Sequence, residues 1–171
     1  MNYFELFEIS ENIKIDQALL SAKFYELQRK FHPDKFIQLP LLEQQKKLKE
    51  SIVINKAYHV LKNFFLRAKY ILSLHGFDLL NKNDLIQDKN FLIEQFHLSE
   101  KLQNINKKSK NFSEIKKLRL HIKNCIKKHQ DEIIFALNKK EWKTAIDILK
   151  KISFFLKKDI FLKNISIEYN I

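Results

Sequence analysis

One glycine and two prolines in 171 residues leave little turn chemistry for an all-β fold, and the reading is all-α. A single cysteine, Cys125, rules out an internal disulfide framework and fits a reducing compartment. No stretch approaches the roughly 20 apolar residues of a membrane span. The opening Met1-Asn2-Tyr3-Phe4-Glu5 has neither a basic n-region nor a long apolar run, so nothing reads as a signal peptide. The expectation is a cytoplasmic protein with no membrane partner. A phosphate-cradling G-x-x-x-x-G-K-[ST] cannot be written with one glycine.

What is abundant is apolar side chains and lysine. The chain is 45% hydrophobic and carries 15 Phe, enough to bury the core of one or two small domains. The net charge of +12 invites a nucleic-acid reading. Only three of the 32 basic residues are Arg (Arg29, Arg67 and Arg119), and Asn, Ile, Phe and Lys share A- and T-rich codons. The excess is spread out, +4 over 1–76 and +8 over 77–171. Few lysines alternate with aromatics on one face, as a stacking platform requires. Nucleic acid is therefore not expected as a partner.

In the first half, Tyr3, Phe4, Leu6 and Phe7 predict a short apolar helix or turn covering a helical hairpin. Asp16 is placed to N-cap the next helix, whose stripe is Leu20, Phe24, Leu27 and Phe31. Tyr25 and Arg29 project away from that stripe, with Gln28 and Lys30 on its flanks. His32-Pro33-Asp34 follows. Pro33 drives His32 out of the helical region, so the helix ends there. Pro40 closes the loop, and a long helix from about Leu42 to Lys62 carries Ile54, Ala57, Tyr58 and Leu61 at helical spacing. A polar tripeptide held between two packed helices displays Asp34 outward. A further helix, around Leu66 to His75, carries Leu66, Tyr70 and Leu74; Gly76 fits its left-handed cap, with Phe77 making the accompanying apolar contact.

A proline after a helix is also a common stop signal. The surrounding strings favour more than that. Leu27-Gln28-Arg29-Lys30-Phe31-His32-Pro33-Asp34-Lys35-Phe36 and Ile54-Asn55-Lys56-Ala57-Tyr58-His59-Val60-Leu61 resemble a J-domain. That resemblance implies a helical hairpin whose HPD loop docks on a DnaK-type chaperone and triggers its ATP hydrolysis. One departure is the lack of a proline near Phe64 or Phe65, ahead of Arg67-Ala68-Lys69-Tyr70.

Residues 77–87 read as a linker, and residues 88–171 as three helices with short connections, an antiparallel bundle. The first helix runs from about Asp88 to Ile105 and its core stripe is Phe91, Leu98, Leu102 and Ile105, with Gln95 on the same line. The second begins near Asn111, where Glu114 completes a possible capping box. It carries Ile115, Leu118, Ile122, Ile126, His129 and Ile133. The third starts near Lys140 with Trp142, Ala145, Leu149, Ile152 and Leu156. Residues 106–110 and Asn138-Lys139 read as the loops. Leu92, Ile93 and Phe96 fall on the outer face of the first helix, where Glu100 continues the row; Phe154 falls about 140° from the stripe of the third at about 100° per residue. Either a partner binds this apolar set or the hairpin or linker covers it.

Taken with Asn2-Tyr3-Phe4-x-Leu6-Phe7, Arg67-Ala68-x-Tyr70-x-Leu72-Ser73-Leu74-His75-Gly76 and Phe91-Leu92-x-Glu94-Gln95, the whole chain resembles the HscB family. The resemblance implies a J-domain over 1–76 and a scaffold-binding bundle over 88–171, acting in iron–sulfur cluster biogenesis. It implies two partners, the chaperone HscA and the scaffold IscU. The implied chaperone contacts are Tyr25, Gln28, Arg29, Lys30, His32, Pro33, Asp34 and Lys35. Asp34 would pair with a chaperone arginine, and His32 and Pro33 would fix the loop. The implied scaffold contacts are Leu92, Ile93, Phe96, His97, Glu100 and Phe154. His97 departs from the acidic residue more typical at that place.

No enzyme motif competes. None of the six histidines forms a recognised catalytic arrangement, and nothing places a base beside Cys125. Cys125 and His129, four apart on a helix, could touch one metal, but two ligands do not make a zinc site and the pair reads as core. No metal or other cofactor is expected. The open alternative is a J-domain co-chaperone serving a different client, which the HPD half alone does not distinguish.

Overall fold

The computed structural model describes residues 2–77, 88–108 and 112–168. Its elements are α1 (Tyr3–Leu6), α2 (Gln17–Lys30), a 3₁₀ turn (Pro33–Phe36), α3 (Leu41–Lys62), α4 (Phe64–Leu74), α5 (Lys89–Lys108), α6 (Phe112–Asn138) and α7 (Trp142–Glu168). No strand occurs among the described residues. The chain divides into two compact units, Met1–Gly76 and Phe77–Ile171: a helical hairpin with its small flanking helices, and a three-helix bundle.

The first unit is built on the α2–α3 hairpin. Asp16 caps α2 through its carboxylate, which accepts from the Ala18 and Leu19 backbone N–H groups. Leu20, Ile54, Ala57 and Leu61 are buried between the helices. The Phe24 and Tyr58 rings stack with centroids 3.9 Å apart, and the Tyr58 hydroxyl lies 3.2 Å from Ser21 Oγ. The Ser21 contact, with Lys62 beside the ring, holds the phenol below its ordinary pKa. Helix α1 opens with a capping box between Asn2 and Glu5 and buries Phe4, with Phe7 buried just beyond it. Tyr3 stacks on Tyr70 at 4.4 Å and donates its backbone N–H to the Tyr70 hydroxyl at 2.9 Å.

Helices α3 and α4 meet at one residue. Asn63 has left the helical region (φ −85°, ψ 123°), and its side-chain oxygen accepts from the Leu66 N–H at 3.0 Å. An asparagine cap thus makes the break for which no proline is present. The buried face of α4 corrects the expected one. Ala68, Ile71, Leu72 and Arg67 point inward, whereas Leu66 and Tyr70 are half-buried and Leu74 is exposed. Arg67 is 4% exposed and closes the junction: Nε donates to the Ile13 carbonyl at 2.8 Å and Nη1 to that of Leu61. Burial draws its pKa below the ordinary arginine value. Gly76 takes the left-handed conformation (φ +83°).

In the second unit, Phe91, Leu98, Leu102, Ile115, Leu118, Ile122, Phe155, Leu162 and Ile165 form one core cluster. Helix α5 continues to Lys108, past the expected end at Ile105, so part of the loop read over 106–110 is helical. The Asn111 capping box, residues 109–110 and the linker residues 78–87 lie outside the described residues. On α7 the stripe passes through Phe155, fully buried, and Leu156 is half-buried. Ala145, Leu149 and Ile152 are buried as expected, and Ile148, Phe155 and Leu162, seven residues apart in turn, extend the buried face to the side away from Leu156. Arg119 pairs with Asp159 at 3.2 Å, tying α6 to α7. Phe77 faces Trp142, with ring centroids 6.2 Å apart. His129 is buried against the Phe155 ring and bonds Glu132 at 2.7 Å, so it does not pair with Cys125. Cys125 lies against Glu94 and His121 instead.

Candidate functional site

Two surfaces carry the predicted residues, one on each unit. On the first, α2 ends at Phe31, whose N–H still reaches the Leu27 carbonyl at 2.9 Å. His32 then turns extended (φ −64°, ψ 130°) and becomes the cap of the 3₁₀ turn. Its Nδ1 accepts from the Asp34 backbone N–H at 3.4 Å, a long bond, and the Lys35 N–H reaches the His32 carbonyl at 3.1 Å. Pro33 occupies the first turn position, where a missing N–H costs nothing. The Asp34 side chain is 78% exposed, with its Oδ2 3.5 Å from His32 Nδ1.

Gln44, which was not among the predicted residues, holds this loop down. Its side-chain amide donates to the Ile37 and Leu39 carbonyls, each at 2.9 Å. A glutamine in the first turn after Pro40 is the one trace of this in the sequence. Lys47 Nζ sits 5.1 Å from the Phe31 ring centre and 5.7 Å from that of Phe36, bridging the two sides of the loop by cation–π contact. Tyr25 is 60% exposed, and Arg29, Lys30 and Lys35 face solvent with it. Gln28 differs from these. It is half-buried and donates to Asn55 Oδ1 at 2.7 Å across the hairpin.

On the second unit, Asp88 fixes the start of α5. Its Oδ1 accepts from the Phe91 N–H at 3.1 Å, and its Oδ2 meets Lys151 Nζ of α7 at 2.6 Å. The lysine, aided by that N–H, holds the carboxyl below its ordinary pKa. With Phe91 turned into the core, Leu92, Ile93 and Phe96 are 48%, 57% and 69% exposed. His97 and Glu100 are exposed beside them.

Phe154 is placed differently from the other members of the predicted set. It is half-buried, edge-on to Phe91 at 5.7 Å and to Phe155 at 5.3 Å. The expected outward position measured its angle from Leu156; with Phe155 in the core, Phe154 lies at the core's margin. It forms one wall of an open groove of about 410 Å³, with Phe161 and Lys158 of α7, and with Ser99, Leu102 and Gln103 of α5 opposite. Leu92, Phe96, Ser99 and Gln103 share one face of α5 at helical spacing. The exposed apolar row therefore leads into the groove that Phe154 lines.

Chemically, the first surface presents an exposed carboxylate beside basic and aromatic side chains, and the second an exposed apolar row with a polar rim.

Residues 87–159 match the family model described as the HSCB C-terminal oligomerisation domain. The chain is 40% identical over 172 residues to the co-chaperone protein HscB of Buchnera aphidicola subsp. Acyrthosiphon pisum (strain Tuc7), covering 100% of this chain and 97% of that one. Among solved structures, the chaperone HscB from Vibrio cholerae superposes with a TM-score of 0.86 at 29% identity, covering 99% of each chain. The human co-chaperone protein HscB superposes with a TM-score of 0.91 at 28% identity, covering 98% of this chain and 83% of that one.

Proposed function

The chain belongs to the HscB co-chaperone family, and on that premise we propose that it couples an iron–sulfur scaffold of the IscU type to a DnaK-type chaperone of the HscA type. The observation that carries this reading is the anchored HPD turn: His32 and Gln44 hold the backbone while the Asp34 carboxylate, 78% exposed, faces solvent at the end of an exposed Tyr25–Arg29–Lys30 face. A carboxylate so presented can enter a charge-assisted bond with a partner arginine without first breaking a buried contact of its own.

The chain does no bond-breaking itself in this reading. It binds the ATP-loaded chaperone more tightly in the conformation that hydrolyses, and so biases the chaperone's equilibrium. Lysines and arginine around the loop speed encounter and make it salt-sensitive. The scaffold is held by Leu92, Ile93 and Phe96, with Phe154 at the groove wall and His97 and Glu100 at the rim. A few such apolar side chains, desolvated together, carry most of an interface's affinity.

The test is single-turnover ATP hydrolysis by an HscA-type chaperone with this protein, with and without scaffold. Stimulation by the protein, raised further by scaffold, is the expected result. No stimulation at saturating protein overturns the co-chaperone reading; stimulation that scaffold leaves unchanged, with no scaffold binding, overturns the choice of client.

A further inference from the structure

The second unit carries a side-chain cluster that the proposed function does not use. Glu94 of α5 and His121 and Cys125 of α6 converge, with their ligand atoms all within 4.8 Å of one another. Cys125 Sγ lies 3.6 Å from His121 Nε2 and 3.7 Å from Glu94 Oε1, and His121 Nε2 lies 3.8 Å from Glu94 Oε1. Zinc binds sulfur at about 2.3 Å and nitrogen or oxygen at about 2.0–2.2 Å, so tetrahedral ligand atoms sit about 3.3–3.6 Å apart. The observed triangle needs to contract by only a few tenths of an ångström.

We propose that Glu94, His121 and Cys125 form a three-ligand site for a divalent cation of zinc(II) character, with the fourth position left to water or an external donor. Three features point to that class. His121 and Cys125 are four apart, which puts both on one face of α6, the spacing by which a helix offers two ligands to one metal. Thiolate, imidazole and carboxylate together select zinc over magnesium or calcium, which take oxygen ligands. Glu94 comes from a different helix, so the metal would clip α5 to α6. The clip falls on the residue next to Ile93, within the segment proposed to bind scaffold.

The thiol must lose its proton to serve. Burial and the Glu94 carboxylate push it up to about 11 without metal. A bound dication reverses that balance, because it neutralises the carboxylate and takes the thiolate directly. Lys128, the other charged group acting on Cys125, already favours the thiolate. The cluster is reachable from solvent, with Glu94 and Cys125 half-buried and His121 exposed.

The experiment is a titration of cobalt(II), then zinc(II), into the full, tag-free, reduced chain. The expected result is one equivalent of cobalt with a thiolate-to-cobalt charge-transfer band and visible bands of four-coordination, both displaced by zinc. Cys125→Ser abolishes the charge-transfer band. Glu94→Gln and His121→Gln each weaken binding by about tenfold or more, and His59→Gln leaves it unchanged. Zinc also raises the Tm of wild type but not of Cys125→Ser. Should a variant fail to fold, alkylation of Cys125 in the wild-type chain reads the same site, and zinc must slow it. No saturable binding, or binding without a charge-transfer band and with Cys125 still freely alkylated, overturns the proposal.

Discussion

The backbone N–H of Asp34 donates to Nδ1 of His32 at 3.4 Å, and the Asp34 carboxylate beyond it is left facing solvent. The two residues differ in role: the imidazole caps the turn, and the carboxylate is the group that the proposed function offers to the chaperone. Gln44 completes the arrangement from α3 by binding the two carbonyls that follow the turn. A helix stop that served only to end α2 would need neither the imidazole cap nor an exposed acid.

Phe96 and Phe154 are expected to answer mutation differently. Phe96 is 69% exposed, so Phe96→Ala changes stability by less than about 0.5 kcal/mol. It should weaken scaffold binding by about 2 kcal/mol, roughly 30-fold. Phe154 packs on Phe91 and Phe155, so Phe154→Ala also destabilises the bundle, by about 2 kcal/mol. Calorimetry and denaturant unfolding of both variants check this; unaltered scaffold affinity for Phe96→Ala would refute the role given to α5.

Arg67 is a structural residue of the first unit. Arg67→Met keeps much of the volume but leaves the Ile13 and Leu61 carbonyls without their donor. Two buried charged hydrogen bonds lost in this way predict a loss of about 2–4 kcal/mol. Urea unfolding measures it, and a loss below about 1 kcal/mol would mean the guanidinium is not holding the α3–α4 junction.

The pair Asp88–Lys151 predicts an acid limb in the stability of the bundle. Lys151 lowers the folded-state pKa of Asp88 below its unfolded value. The resulting stability is fully present above the unfolded pKa and is lost as pH falls through the folded one. Asp88→Asn should therefore be less stable than wild type at neutral pH, and the gap should close below about pH 4. A gap that persists unchanged well below that pH would show that the effect does not come from the Asp88 charge.

Lys140 holds a left-handed conformation (φ 59°) just past α6, where its N–H meets the Leu137 carbonyl and that of Glu141 meets Ala136. This is a Schellman closure with lysine in the place glycine usually takes. Lys140→Gly should raise stability by about 1 kcal/mol, read as a higher Tm. A lower Tm would show that the lysine side chain contributes more than its backbone strain costs.

Much of the frame was legible because its signals are local. Asp16, His32-Pro33 and Gly76 each act within a few residues of themselves, and each sits where the pattern places it. The α3–α4 break is less legible, because Asn63 makes it by capping, where the resemblance implies a proline. The buried face of α7 reaches further to one side than the expected stripe, through Ile148 and Phe155, which puts Phe155 rather than Leu156 in the core and Phe154 at its margin instead of on the outer face. Arg67, Gln44 and the Glu94–His121–Cys125 cluster depend on partners in other helices or loops. Their meaning rests on how the elements pack, which periodicity along one helix does not carry.

The most direct test of the account is a paired measurement on Asp34→Asn, a change of one exposed oxygen for nitrogen. Single-turnover ATP hydrolysis by the chaperone and scaffold affinity by calorimetry are read on the same preparation. The account predicts that stimulation falls to the chaperone's basal rate while scaffold affinity matches wild type. Full stimulation by Asp34→Asn, or loss of scaffold binding together with stimulation in a variant that remains folded, would contradict it.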